Sequence, residues 1–326
     1  MRNDESDLRQ IPSVTELAVL EGPPVDSVAD PDAPVLPRLP IAHLLLATLV
    51  VAIWGTNFVV IHQGLAEFPP FTFAALRFFL ASVPLLLFFR WPKASLPTVA
   101  GYGLLIGVGQ FGLMLYAMSG HISPGLASVL IQTQAFFTVG LAVLLTGEHL
   151  SRRNWLGLSI CAIGVGLALV NTGDGTSYLG ILLVLGAALA WGAANVVARH
   201  AGAINAVALV VWSNLFSILP LALASLLLEG PRAAVNAIGA ATAAGWATVL
   251  WQAFGNALFG YAAWNWLLGR HPAARVAPLG LMVPVFGLGA SAWYLAEPMP
   301  AWKILAAMAI VSGLAINLMP NWRRQP

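Results

Sequence analysis

Charged residues are scarce in this 326-residue sequence: Asp, Glu, Lys and Arg make up 9% of the chain, whereas hydrophobic residues make up 59%. Soluble domains of ordinary composition contain about 25% charged residues. A chain with so little charge could not cover its surface in water, which excludes soluble enzyme folds and modules that bind nucleic acid. The sequence also contains a single cysteine, Cys161, so an internal disulfide framework is excluded.

The acidic residues are concentrated at the amino terminus. Residues 1–40 contain eight acidic residues, three arginines and seven prolines, with no sustained apolar pattern. Segments of this composition cannot bury enough apolar surface to offset the entropy of the chain. This one also lacks the basic start, apolar centre and small-residue cleavage site of a signal peptide. We therefore expect a disordered, acidic, Pro-rich tail on the cytoplasmic side.

The rest of the chain, from residue 41, is dominated by long apolar runs. A helix needs about 20 apolar residues to cross the roughly 30 Å hydrocarbon core of a bilayer. Ten runs near this length are joined by short linkers, which predicts an all-α polytopic membrane protein with ten transmembrane helices. The ten predicted spans lie near residues 41–61, 71–91, 99–118, 124–146, 155–171, 178–199, 206–228, 244–269, 276–296 and 302–319.

Basic residues indicate the orientation of these spans, because short cytoplasmic loops carry an excess of Lys and Arg. If the acidic tail is cytoplasmic, ten basic residues fall on the inner side and only Arg232 and Lys303 on the outer side. This distribution predicts that the N and C termini are both cytoplasmic. The ten inner residues are Arg38, Arg90, Lys93, Arg152, Arg153, Arg199, Arg270, Arg275, Arg323 and Arg324.

The two halves of the chain resemble each other. Trp54 and the following glycine in the first span match Trp191 and its glycine in the sixth, and Glu148 matches Glu297. This similarity predicts two five-helix repeats. Because five is odd, the repeats enter the membrane in opposite directions, an inverted architecture that places the substrate site of secondary transporters near the midplane. The predicted parts are the tail 1–40, the first repeat 41–171 (spans one to five), the second repeat 178–319 (spans six to ten) and a cytoplasmic C-terminal tail 320–326.

Several motifs are similar to those of a known family. They are Trp54-Gly55-Thr56-Asn57-Phe58 in the first span, Ala75-Leu76-Arg77-Phe78 in the second, Gly147-Glu148 after the fourth, and Pro278 with Pro284 in the ninth. On these residues the chain, from 41 to about 320, resembles the EamA-type drug/metabolite transporter family. Within that family, the segments Gly109–Phe111, Ser123–Ser128 and Gln132–Thr138 are most similar to exporters of cysteine and O-acetylserine. The resemblance implies a multi-pass exporter of amino acids or related metabolites in the cell inner membrane.

Arg77 is the only charged residue well inside a predicted span. Its guanidinium is suited to bidentate recognition of a carboxylate, so it is a candidate ligand for the carboxylate of a substrate. Two structural interpretations compete with this one. The side chain could extend outward to the lipid headgroups, or it could donate to backbone carbonyls of a neighbouring helix.

Other polar or aromatic side chains also lie inside apolar spans, where each must find a partner or line a wet cavity. Together they predict a polar midplane cavity that binds a small zwitterion. The alternative for each amide is a hydrogen bond between helices, worth about 0.6–2 kcal/mol in membranes. For the two tryptophans the alternative is tight packing between the repeats. The candidate substrate-binding residues, besides Arg77, are Trp54, Asn57, Gln110, Gln132, Gln134, Trp191, Asn195, Asn256 and Tyr261.

Glu148 and Glu297 lie at predicted helix ends close to basic residues: Arg152 and Arg153 for the first, Lys303 for the second. This arrangement favours ion pairs or helix caps that act as gates over direct contact with substrate. If export is linked to protons, one of these glutamates has to titrate as part of a gate, since the midplane offers only amides and one arginine.

The sequence contains no buried acid–base pair, no nucleophile motif and no phosphate-binding loop, so we predict that the protein is not an enzyme. The six histidines fall in loops or at span ends without ligand-spaced partners, and we expect no metal or other cofactor. The predicted function is secondary transport by alternating access, with a small-molecule substrate and the lipid bilayer as partners, as a monomer or homodimer. The alternatives are a transporter of the same fold for another metabolite or hydrophobic drug, and an intramembrane lipid-modifying enzyme.

Overall fold

A computed structural model describes residues 39–146, 150–173, 175–201 and 205–318. Within these ranges the chain is helical, and its only β-type pairing is an isolated bridge between Gly173 and Thr176. The predicted tails lie outside the described residues, except for the last two residues of the amino-terminal one. The prediction of an all-helical membrane protein is confirmed.

Eleven helices account for most of the described residues. Their order along the chain follows the predicted spans, with one extra short helix between the seventh and eighth. Their bounds are α1 Ile41–Leu65, α2 Pro70–Leu85, α3 Leu96–Met118, α4 Pro124–Leu145, α5 Arg152–Val170, α6 Tyr178–His200, α7 Val207–Glu229, α8 Pro231–Ala240, α9 Ala243–Leu268, α10 Ala277–Tyr294 and α11 Ala301–Leu318.

Among the described helices, eight are long and apolar enough to cross a membrane. The others are α2, which is apolar but shorter, and the pair α8 and α9, which meet at a bend of 106°. The predicted span over 71–91 is wrong at its end, because α2 stops at Leu85. Pro84 lies in its last turn; it has no backbone N–H to donate, and its ring clashes with the carbonyl four residues earlier.

Several helices begin at a polar side chain that accepts a hydrogen bond from a backbone N–H three residues later. Such a cap satisfies one of the first N–H groups, which have no partner within the helix. Each start is therefore encoded locally by a Ser, Thr or Asn at the edge of an apolar run. The capping residues are Ser95 of α3, Ser151 of α5, Ser177 of α6, Asn205 of α7 and Thr242 of α9.

Helices α5 and α11 pack with their backbones in close contact at two glycines. A Cβ placed on Gly313 would lie 2.5 Å from the carbonyl oxygen of Gly157, and one on Gly157 would lie 2.7 Å from the carbonyl oxygen of Gly313. A buried hydrogen bond of 2.6 Å from Asn154 to Asn317 joins the same two helices. Small residues allow this approach in membranes, where van der Waals packing holds helices together.

Candidate functional site

A small cavity of about 20 Å³ lies between α2, α3, α7 and α9. A space of this size holds about one water molecule, and an amino acid does not fit into it. Its wall combines one charged, several aromatic and a few polar side chains inside an otherwise apolar bundle. The lining residues are Arg77, Phe78, Tyr102, Ile106, Phe111, Val210, Asn214, Ala257 and Tyr261.

Two of the four helices around the cavity change their hydrogen-bonding pattern beside it. Helix α3 is a π-helix over Leu105–Gly112, and α9 is a π-helix over Trp251–Phe259. These segments supply Ile106, Phe111 and Ala257 to the cavity wall. Short π-helical segments are rare and are frequently found at functional sites.

Arg77 is buried in this wall, with only 2% of its surface exposed. Its guanidinium carbon lies 3.6 Å from the centroid of the Phe111 ring and 4.8 Å from that of Phe78. In the described part of the chain, its Nε and Nη1 atoms have no hydrogen-bond partner, and no carboxylate lies within ion-pair distance. The side chain therefore does not extend to the lipid headgroups.

A buried cation without a carboxylate partner is costly, and the cost falls when an anion binds to it. Because Phe111 covers one face of the guanidinium, the donors without a partner, Nε and Nη1, lie in the plane of the group. They point to different sides of it, so each can donate to a separate acceptor. Arg77 is thus a buried cation with two donors that have no partner among the described residues.

Trp54 of α1 forms the support behind one side of the cavity. Its indole Nε1 donates a hydrogen bond of 3.3 Å to the backbone oxygen of Asn256, inside the π-helical segment of α9. Its ring lies 5.6 Å from the ring of Tyr261 and 5.2 Å from that of Trp264. Trp54 therefore packs against Tyr261, which lines the cavity.

Amide side chains connect α1 to α9 as well. Gln252 donates a hydrogen bond of 2.7 Å from its Nε2 atom to Oδ1 of Asn57, and both side chains are buried. Within the described residues, the Oε1 atoms of Gln252 and of buried Gln110 have no partner. Buried polar atoms nearly always have a partner, so these two oxygens are acceptors open to a ligand or a water molecule.

The remaining predicted site residues lie at a second location, between α4 and α6. Asn195 donates from Nδ2 to Oε1 of Gln134 at 2.9 Å and to Oγ1 of Thr138 at 3.2 Å. Gln132 is buried in a 3₁₀ turn of α4, and half-buried Trp191 packs against the hydrophobic core. None of these residues lines the Arg77 cavity.

Glu297 lies in the link between α10 and α11, with 7% of its side chain exposed. Its Oε1 atom pairs with Nζ of Lys303 at 2.9 Å, and its Oε2 atom accepts a hydrogen bond of 2.9 Å from the backbone N–H of Gly125. It therefore fastens this link to the first turn of α4. Glu148 lies outside the described residues.

Sequence reasoning missed several residues around the cavity. Asn214 of α7 is 4% exposed and lines the wall; its signal was a polar pair, Ser213 and Asn214, inside an apolar run. Phe111 gave no such signal, since an aromatic residue in a membrane span is ordinary. Its contact with Arg77 depends on how α2 and α3 pack.

No group of three or more His, Cys, Asp or Glu side chains within the described ranges could hold a metal ion. Two apolar helices long enough to cross a membrane, α3 and α7, line a small cavity together with α2 and α9, and a buried arginine lies in its wall. Fold and site together define a multi-pass membrane transporter for a small molecule.

The chain belongs to the EamA-like transporter family, whose family model matches residues 41–170 and 178–319. The resemblance seen in the sequence motifs is therefore confirmed. A protein of Salmonella typhimurium named a probable amino-acid metabolite efflux pump is 39% identical over 280 residues, which cover 84% of this chain and 93% of that protein. A protein of the same name from Escherichia coli K12 is 37% identical over 288 residues, covering 86% of this chain and 96% of its relative.

One solved crystal structure matches 85% of this chain and 96% of its own, with a TM-score of 0.56 and 18% sequence identity. At this identity the likeness shows a shared fold.

Proposed function

We propose that the protein exports amino acids or closely related metabolites, such as cysteine and O-acetylserine, across the cell inner membrane by alternating access. The observation that carries the proposal is Arg77, a buried cation in a cavity wall whose Nε and Nη1 donors are unpaired among the described residues. A substrate carboxylate accepts a hydrogen bond from one of these donors and supplies the opposite charge. The names of the two efflux-pump relatives support the same substrate class.

The transport unit consists of ten transmembrane helices arranged as two inverted five-helix repeats. In this arrangement α2 and α9 are spans in addition to the eight helices already identified as candidate spans, while α8 lies on the surface. Two matches to the family model support the duplication. So does the repetition of irregular helices: the third proposed span of each match contains a π-helical segment, and the fourth contains a 3₁₀ segment at Ile131–Thr133 or Ala277–Met282.

The end of the bundle that carries Arg90, Arg152, Arg199 and Arg270 faces the cytoplasm, and so do both termini. The positive-inside rule supports this orientation. Arg232 and Lys303 lie at the other end.

The substrate contacts follow from the cavity wall. Arg77 binds the carboxylate, while Tyr261 and Asn214 lie within reach of the rest of the molecule. The amide oxygens of Gln110 and Gln252, with Asn57 and Asn256 beside them, accept from the ammonium group as the cavity opens.

Other residues line the rest of the substrate pathway. Trp54 forms a wall of the pathway in one half of the bundle and Trp191 in the other. The polar side chains of the second half are Gln132, Gln134 and Asn195. Glu148 and Glu297 act as gates.

A second candidate is a transporter of the same fold for an aromatic metabolite or a hydrophobic drug. The aromatic surroundings of the cavity favour it: Trp54, Tyr261 and Trp264 pack together on one side, and Phe111 lies on the other.

Uptake into inside-out vesicles tests the proposal, because export in the cell becomes uptake in this geometry. We expect radiolabelled cysteine and O-acetylserine to accumulate, and each to compete with the other. Uptake is measured with and without a pH gradient across the membrane, and the difference between the two reports proton coupling. Uptake of a radiolabelled hydrophobic drug, with no uptake of either amino acid, would favour the second candidate.

The variant Phe111→Leu removes the ring beneath the Arg77 guanidinium. Loss of a buried cation–π contact of roughly 0.5–2 kcal/mol predicts a half-saturation concentration raised by about 2- to 30-fold, because the guanidinium is less firmly oriented. Concentration-dependent uptake measures this shift. Phe79→Leu is the matched control, since Phe79 lies on α2 with 46% of its surface exposed. Equal half-saturation in both variants would show that the stacking does not orient Arg77.

A further inference from the structure

Three glutamates at one end of the bundle each accept hydrogen bonds from the first turn of a helix in the other half of the chain. The halves are residues 41–170 and 178–319, the two matches to the family model. We call this end, which carries Glu67, Glu229 and Glu297, the acidic end. A hydrogen bond of 3.0 Å from Gln63 near the end of α1 to Tyr294 at the end of α10 brings these links together.

Glu67 follows α1 in the first half and binds the start of α9 in the second. Its Oε2 atom accepts from the backbone N–H of Thr242 and its Oε1 atom from the Thr242 hydroxyl, both at 2.7 Å. Thr242 is the residue that caps α9 through the N–H of Gly245. The Glu67 carboxylate thus binds the residue that caps α9 and, through it, fixes the start of that helix.

Glu229 ends α7 in the second half and binds the start of α2 in the first. Its two oxygens accept from the backbone N–H groups of Phe71 and Thr72 at 2.5 and 3.1 Å, and from the Thr72 hydroxyl at 2.8 Å. The Thr72 hydroxyl also lies 2.7 Å from that of Ser225, one turn earlier in α7.

Glu297 completes the set, because it lies in the second half and accepts from Gly125 in the first turn of α4. The carboxylate lies close to the glycine: a Cβ on Gly125 would lie 2.9 Å from Oε1 of Glu297, so the carboxylate would have to shift. Lys303 is the charged group that faces this carboxylate.

Each contact joins a carboxylate to backbone N–H groups at the start of a helix. The first N–H groups of a helix have no partner within it and carry the positive end of its dipole. A carboxylate satisfies these groups with charge-assisted hydrogen bonds. Because every one of the three contacts crosses between the halves, the halves cannot separate at this end while the contacts last.

We propose that Glu67, Glu229 and Glu297 form a three-point lock that holds the acidic end closed, and that its release is a step of the transport cycle. The inference rests on the proposed function, in which the two halves move against each other. It assigns roles to Glu67 and Glu229 and names the bonds that a gate at Glu297 would break. The lock is cooperative, since opening at one contact strains the other two.

Protons are not the trigger at Glu67. Hydrogen bonds from the side chain and then the backbone of Thr242 hold the pKa of this carboxylate below its ordinary value of 4.5. A lowered pKa means that the contact is intact at neutral pH and is lost only as the pH falls through the lowered value. No basic side chain contacts Glu67 within the described residues, where Thr242 and Gly245 face it.

Hydrogen–deuterium exchange in lipid nanodiscs tests the lock without using transport. In Glu67→Gln we expect amide exchange at the start of α9 to rise roughly 2- to 5-fold, and the starts of α2 and α4 to rise with it. A rise confined to α9 would overturn the lock and leave Glu67 as a local cap. Arg232→Gln, a change of charge at the same end, is expected to leave all three starts unchanged.

Gly125→Ala tests the same idea without altering any charge, because the new methyl group displaces the Glu297 carboxylate. We expect the same exchange pattern, whereas Gly140→Ala, on the same helix with nothing within 4 Å of the added Cβ, leaves it unaltered. Cooperative exchange in a protein that transports none of the tested amino acids would support the lock and refute the proposed substrate. Normal transport with a rise in exchange confined to one helix start would refute the lock and support the proposed substrate.

Discussion

Arg77→Gln lowers uptake of cysteine and O-acetylserine at low substrate concentration by about 30-fold or more. The reason is that removing one partner of a buried charge pair costs roughly 2–5 kcal/mol of binding free energy. We expect Arg77→Lys to be impaired as well, since an ammonium group offers neither the two-pronged edge nor the flat face that stacks on Phe111. Initial rates of uptake into inside-out vesicles, normalised to folded protein, measure the effect.

The same variant separates a binding role from a structural one. Arg77 has no carboxylate partner among the described residues, so its replacement by a neutral side chain relieves an unpaired buried charge. We therefore expect Arg77→Gln to unfold at the same temperature as wild type or a higher one. Arg90→Gln, the same change at an exposed position, serves as the control. Normal transport by Arg77→Gln, or its failure to fold, would contradict the assignment.

Gly313→Ala is expected to destabilise the protein strongly, because the added methyl group would lie 2.5 Å from the carbonyl oxygen of Gly157 and 3.0 Å from the backbone nitrogen of Cys161. Both obstacles are backbone atoms of α5, so the helices have to move apart. Overpacking of this kind costs about 1–3 kcal/mol, and separation of the helices also weakens the hydrogen bond from Asn154 to Asn317. Thermal unfolding in detergent measures the loss.

The chain supplies a matched control for this change. Gly166 lies on α5, and a Cβ added there meets nothing within 4 Å. Surface changes of this kind usually alter stability by no more than about 0.5 kcal/mol, so we expect Gly166→Ala to unfold near the wild-type temperature. Equal unfolding temperatures for the two variants would show that the close approach of α5 and α11 contributes little to stability.

Hydropathy predicted most helices well, because the length of an apolar run is set by the same bilayer thickness that the helix must cross. Helices α1 and α6 begin at the predicted residues 41 and 178. The predicted end of α2 was wrong because the run of apolar side chains continues past Pro84, where the backbone can no longer remain helical. Helix α8 was missed because it is short and does not span, and the π-helical segments leave no mark in hydrophobic periodicity.

At the site, the sequence identified residues whose chemistry is unusual for their position. Arg77 stands out because it is the charge inside an apolar run. Asn214 was within reach of the same reasoning, since it is a polar residue in α7. The roles of Glu67 and Glu229 could not be predicted in this way, because a glutamate at a helix end is ordinary unless the start of a second helix lies beside it. Those contacts depend on tertiary packing.

Counterflow in proteoliposomes tests the central claim most directly, namely that the cavity recognises the carboxylate of an amino acid. Vesicles preloaded with unlabelled cysteine are diluted into radiolabelled O-acetylserine, with cysteine or cysteamine as competitor outside. Cysteamine differs from cysteine only in lacking the carboxylate. We expect cysteine to abolish counterflow and cysteamine to leave it nearly unchanged. Equal inhibition by the two compounds would contradict carboxylate recognition at Arg77.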